Sequence, residues 1–161
     1  MNNAVESVLN RYWDRLLPVD PQKIAEAWGA RVEAIEDSEF DNTGFSGIAV
    51  LKNKVPRIYF NPKDHPNRQR FTIAHELGHH VLGHTQDGEK HRDIVENYSS
   101  GAMDIREIHA NKFAAQLLMP EQAIRFYITR KGVTTALGLA KIFNVSEAAM
   151  QWRLKEIGLT H

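Results

Sequence analysis

Cysteine is absent from all 161 residues, which excludes a disulfide framework and any thiolate-held zinc ribbon. Net charge is absent as well. Twenty Lys and Arg stand against 20 Asp and Glu, so no strong field recruits nucleic acid or an anionic membrane. No apolar run approaches the roughly 20 residues that a bilayer span needs. The opening Met1-Asn2-Asn3-Ala4-Val5-Glu6 lacks the basic-then-apolar order of a secretory signal. These absences predict a cytoplasmic protein, and a chain of this length predicts a single domain, with or without a small appendage.

Histidine, by contrast, is concentrated. His75, His79, His80 and His84 fall in the stretch from Arg70 to His84, which contains H-E-x-x-H. On an α-helix, positions four apart lie about 40° apart on one face. His75 and His79 can then offer two imidazole nitrogens to one Zn²⁺, with Glu76 a step round the cylinder as the base for a metal-polarised water. The bland alternative is a His-rich surface helix. Phe71, Ile73, Ala74, Leu77, Val81 and Leu82 form an apolar stripe at helical spacing, which predicts packing against a core. The polar set beside that stripe would lie at the mouth of the fold. Gly78 costs up to about 1 kcal/mol inside a helix, a cost that makes sense where another backbone comes close.

In an unbroken helix His80 and His84 would lie about 140° and 180° round from His75, so neither could share its ion. They are expected to be exposed or to support the ligands. The metzincin spacing also fails, since it requires Gly at Leu82 and His at Thr85. A catalytic zinc takes three protein ligands, so the third must come from further along.

In chain order, Val5, Leu9, Trp13 and Leu16 predict an amphipathic helix stopped near Pro18. Asp20-Pro21 opens a second, through about Trp28, with Gly29 ending it. Arg31 to Ile35, Phe45 to Leu51 and Arg57 to Phe60 read as strands, the last two joined around Lys52-Asn53-Lys54. A small sheet ahead of the H-E-x-x-H helix would suit a peptidase that binds substrate backbone along a strand edge. Thr85 to Gly101 has no clear period and is expected to be a loop. His91, Arg92 and Tyr98 in it are candidates to rim a cleft or to stabilise an oxyanion.

Asp104 to Met119 reads as a further helix, ended by Pro120. Glu107 has two readings. Asp104-x-x-Glu107 resembles a capping box, and Glu107 equally suits a third metal ligand. Asn111 follows one turn later on the same face, whereas His109 would point elsewhere. Ala110, Ala114 and Ala115 are small enough to let this helix approach Gly78.

Phe71-Thr72-Ile73-Ala74-His75-Glu76-Leu77-Gly78-His79, together with Glu107-x-x-Ala110-Asn111-x-Phe113-Ala114-Ala115-x-Leu117-Leu118-Met119-Pro120, resembles the ImmA/IrrE family of metallo-endopeptidases. Asn67 to Arg70 and the stretch Pro18-Val19-Asp20-x-x-Lys23-Ile24-Ala25 match as well. The resemblance implies an α+β, zincin-like fold with one Zn²⁺ per chain held by His75, His79 and Glu107, and Glu76 as base. It also implies selective cleavage of a helix-turn-helix repressor or antitoxin encoded nearby.

The remainder reads as helical. Residues 1–131 are expected to form the peptidase domain, and 132–161 a helix-turn-helix-like segment packed on it or appended to it. Leu137 to Phe143, a turn at Asn144-Val145-Ser146, and Glu147 to Ile157 carry that pattern. DNA binding through it is the alternative from another class. Its second helix has only Arg153 and Lys155 as cations, offset by Glu147 and Glu156, which is too little positive charge to read a groove. A further alternative is a zincin fold kept as a binding component of a toxin–antitoxin pair.

Overall fold

The computed structural model describes residues 3–35, 45–85, 90–94 and 105–159. Within them the elements run α1 (Asn3–Tyr12), α2 (Pro21–Trp28), β1 (Arg31–Ala34), β2 (Phe45–Lys52), β3 (Val55–Phe60), α3 (Pro66–Val81), β4 (Lys90–Ile94), α4 (Ile105–Leu118), α5 (Glu121–Thr129), α6 (Ala136–Phe143) and α7 (Glu147–Glu156). This is an α+β fold, as the sequence predicts.

The sheet has the order β1-β3-β2-β4, with β1 parallel to β3 and the other pairs antiparallel. Asn53 and Lys54 make the β2–β3 turn, both at positive φ (52° and 64°). Such primed turns match the twist of the strands they join. Ile48, Ala49, Val50 and Ile58 are buried. The fourth strand corrects the expected loop from Thr85 to Gly101, since Lys90–Ile94 pairs with β2. Its sequence, KHRDI, is polar; the backbone edge of β2 recruits it, not an apolar period.

Two boundaries also differ from expectation. The first helix stops at Tyr12 instead of running to Leu16, because Asp14 Oδ1 accepts the Leu16 N–H at 2.9 Å, a local bond that competes with helix continuation. Leu16 is accordingly exposed. The third helix starts earlier than its apolar stripe, at Pro66, where His65 Nδ1 accepts the Asn67 N–H at 3.1 Å. Pro at the first helical position lacks an N–H that would be orphaned there anyway. The second helix opens and closes at the expected Asp20 and Gly29.

One apolar cluster holds all the helical layers. Val5 and Leu9 of α1, Ala74 and Leu77 of α3, and Phe113 and Leu117 of α4 share it with Leu139 and Phe143 of α6 and Met150 and Leu154 of α7. The C-terminal pair is built as expected, with Asn144 left-handed between its helices and Ser146 capping α7. Two polar ties add to its packing. Arg70 Nη2 donates to the Phe143 carbonyl at 3.3 Å. Arg153, only 3% exposed, donates through Nε to the Met119 carbonyl at 2.9 Å.

Candidate metal centre

The middle of α3 is enclosed on every side, since each residue from Thr72 to His80 is buried. His75, Glu76 and His79 are 0% exposed, deeper than the mouth position that the sequence suggests and incompatible with a surface helix. The two imidazoles meet edge to face with ring centroids 4.7 Å apart, and their Nε2 atoms are 3.2 Å apart. Glu107, in the first turn of α4, reaches across to both. Its Oε2 is 3.0 Å from His75 Nε2 and its Oε1 is 3.0 Å from His79 Nε2.

These distances match the edges of a coordination polyhedron. Donors about 2.05 Å from a tetrahedral ion stand about 3.3 Å from one another, a few tenths of an ångström more than found here. His75, His79 and Glu107 offer ligand atoms that all lie within 4.8 Å of one another. Two neutral imidazoles and one carboxylate are a donor set suited to a divalent metal, leaving room for a fourth, exchangeable ligand. Asp104, the other half of the expected capping box, lies outside the described residues.

The crossing of α3 and α4 differs in one respect from expectation. A β-carbon at Gly78 would lie 3.0 Å from Cδ1 and 3.1 Å from Cγ of Phe113, so an aromatic ring fills the space, not the alanines of α4. The sequence places Phe113 in the family-like motif but does not show that its ring is what meets Gly78. On the other side of α3, Gly47 of β2 lies against the base candidate. A β-carbon there would stand 2.9 Å from Glu76 Oε2 and closer still to Thr72 Cγ2. The β2–β4 register shifts between Phe45 and Gly47, a bulge of the kind that re-aims strands beside sites.

The remaining histidines of the stretch have separate tasks. His80, expected to be exposed or to support the ligands, is buried. Its Nε2 lies 2.9 Å from the Arg57 carbonyl and its Nδ1 2.9 Å from Thr85 Oγ1, tying α3 to β3. His84 returns to His79, with the two Nδ1 atoms 3.0 Å apart. This supporting place is one of the two expected for it, and the helix end at Val81, followed by Gly83, turns the ring back there. His109 is exposed, as its angle predicts.

Asn111 lines a cavity of about 450 Å³ together with Arg70, Phe71, Ala115, Val145 and Trp152. Phe71 also stacks on His75, with ring centroids 5.9 Å apart, so the cavity adjoins the paired imidazoles. His91 and Arg92 fall in β4, opposite Ala49 and Ile48. Tyr98 lies outside the described residues.

Residues 25–155 match the peptidase M78 family model, described as the IrrE N-terminal-like domain. The radiation response metalloprotease IrrE of Deinococcus radiodurans is 38% identical over 102 residues, covering 62% of this chain and 30% of that protein. Its counterpart in Deinococcus deserti is 36% identical over 102 residues, covering 62% of this chain and 36% of that one. The match thus spans about a third of each relative's length. With the family model covering most of its length, the chain belongs to the peptidase M78 family of IrrE N-terminal-like domains.

Proposed function

We propose that this protein is a zinc-dependent endopeptidase that cuts an accessible segment of a helix-turn-helix repressor or antitoxin. The observation that carries the reading is the convergence of buried His75 and His79 with both carboxylate oxygens of the part-buried Glu107, next to the buried Glu76. Zinc bound there would supply Lewis-acid polarisation of the scissile carbonyl and acidify a water. Glu76 would take the proton from that water and pass it to the leaving amine. The zincin-like character and the substrate class rest on the family resemblance. A cleft of this kind takes an extended chain, so a folded segment must open locally before it can be cut.

Selectivity then comes from docking outside the cleft. Leu137 and Trp152 of the C-terminal helices are 48% and 49% exposed, and Trp152 also borders the cavity beside His75. For duplex DNA the same helices are poorly charged, since Arg153 is buried and engaged.

The test mixes zinc-loaded protein with the regulator encoded beside it and, separately, with unfolded casein. One specific cut in the regulator and slow digestion of casein are expected. Equal digestion of both removes the selective-protease reading. Tight binding of the regulator without cleavage at any metal load would favour the toxin–antitoxin binding component instead.

A further inference from the structure

The end of α3 brings a third imidazole against the metal-site pair. Gly83, at φ +77°, reverses the chain after Leu82. The His84 N–H donates to the His79 carbonyl at 2.8 Å and the Gly83 N–H to the His80 carbonyl at 3.1 Å, the paired bonds of a Schellman turn. Glycine suits that left-handed position because it has no β-carbon to strain. The reversal sets the His84 ring 5.2 Å from the His79 ring, centroid to centroid, at an interplanar angle of 59°. Nδ1 faces Nδ1 at 3.0 Å.

Two imidazole nitrogens at that distance share one proton, since two N–H groups would repel and two lone pairs would not bond. His79 turns its Nε2 to Glu107 Oε1 at 3.0 Å and His75 Nε2 at 3.2 Å. To hold a cation, that nitrogen must present a lone pair, which leaves the proton on Nδ1. Nδ1–H then donates to Nδ1 of His84, and His84 keeps its own proton on Nε2. With a cation between Nε2 and Glu107, this one tautomer assignment satisfies both rings.

We propose that His84 is a positioning residue. It accepts the His79 Nδ1 proton, fixes the tautomer that leaves Nε2 open, and sets the ring's orientation. The inference rests on the metal reading of the site, through His79. Ligating histidines commonly donate their second N–H to a carboxylate, carbonyl or water; here a neutral imidazole takes that place. It therefore adds no second negative charge next to Glu107.

The experiment titrates metal-free protein with zinc against a chromophoric chelator for wild type, His84→Ala, His84→Asn and His79→Ala. Nitrogen-15 NMR of the imidazoles in the zinc-loaded protein is the second readout. His84→Ala should weaken zinc binding about 10–100-fold and shift the His79 Nδ1–H resonance of the zinc-loaded protein, with the metal-free melting temperature unchanged. His84→Asn, which keeps an acceptor oxygen in reach, should recover most of both. Zinc affinity of His84→Ala within twofold of wild type overturns the proposal, and so does a His79 that lacks an Nδ1–H in the zinc-loaded wild-type protein. A loss that His84→Asn does not relieve, with a matching fall in melting temperature, assigns His84 to the turn alone and overturns it too. If His79→Ala binds zinc like wild type, the metal reading itself fails and takes the proposal with it.

Discussion

Phe113 stands where a side chain at Gly78 would have to go, its Cδ1 3.0 Å from the position of that β-carbon. The glycine is therefore a mould for the aromatic ring, and the helix carrying Glu107 settles on α3 through it. Two effects oppose each other in Gly78→Ala. Alanine gains up to about 1 kcal/mol of helix propensity, and overpacking a tight core costs about 1–3 kcal/mol. Phe113 is fully buried, which leaves its ring little room to give way in a close-packed interior, so the clash should win. Chemical denaturation should give a net loss of stability for Gly78→Ala, and Phe113→Leu in the same chain should recover part of it. A stabilised Gly78→Ala single variant would refute the mould.

Gly47 makes the parallel case for chemistry. The atoms nearest a β-carbon there belong to Thr72 and Glu76, not to the three ligand candidates. Gly47→Ala should keep its zinc content and lose peptide cleavage through kcat more than KM. Loss of zinc with no separate effect on turnover would place Gly47 in the metal site's support instead.

Glu107 and Glu76 should separate holding from turnover. Glu107→Ala should weaken zinc by more than the about 10–100-fold that a supporting residue is worth. Glu76→Gln keeps the shape of the side chain but not its basicity. It should retain about one zinc per chain and lose about 10²–10⁴ in cleavage rate. Elemental analysis and steady-state kinetics on the same preparations check both. A Glu107→Ala protein that keeps its zinc, with an acid between Asp87 and Asp104 proving essential, would move the third ligand.

Arg153 should matter more for stability than for recognition. In Arg153→Met the Met119 carbonyl loses its donor, a cost of about 1–3 kcal/mol for a buried polar group. Thermal melts should fall, while cleavage of a short peptide at low temperature should not. Deleting the chain after Gly132 would strip Leu139, Phe143, Met150 and Leu154 from the shared core, at about 1.5–3 kcal/mol for each large side chain. Docking is therefore better tested with Leu137→Ser and Trp152→Ser, which should slow cleavage of the regulator and spare the short peptide.

Much of this site is legible in the sequence because helical spacing is rigid. His75, Glu76 and His79 need only the 3.6-residue period, and Glu107 needs that period plus a helix that can approach Gly78. What escapes the sequence depends on partners distant in the chain or on a change of direction. β4 has no pattern of its own and takes its place from β2's free edge. Phe113 is one apolar residue among several until α3 presents a vacancy. His84 looks misplaced only while α3 is taken as straight; Gly83 undoes that assumption in a single residue.

The shared core has a consequence for how such a protein can change its target. Because the inner faces of α6 and α7 are walls of the same interior that seats α3 and α4, the C-terminal pair is not a cassette. Grafting it onto a relative would carry the interior side chains of Leu139, Ala140, Phe143, Met150 and Leu154 along with the desired outer face. New preferences must then arise by drift of the outward positions alone, one substitution at a time, over a scaffold that stays fixed.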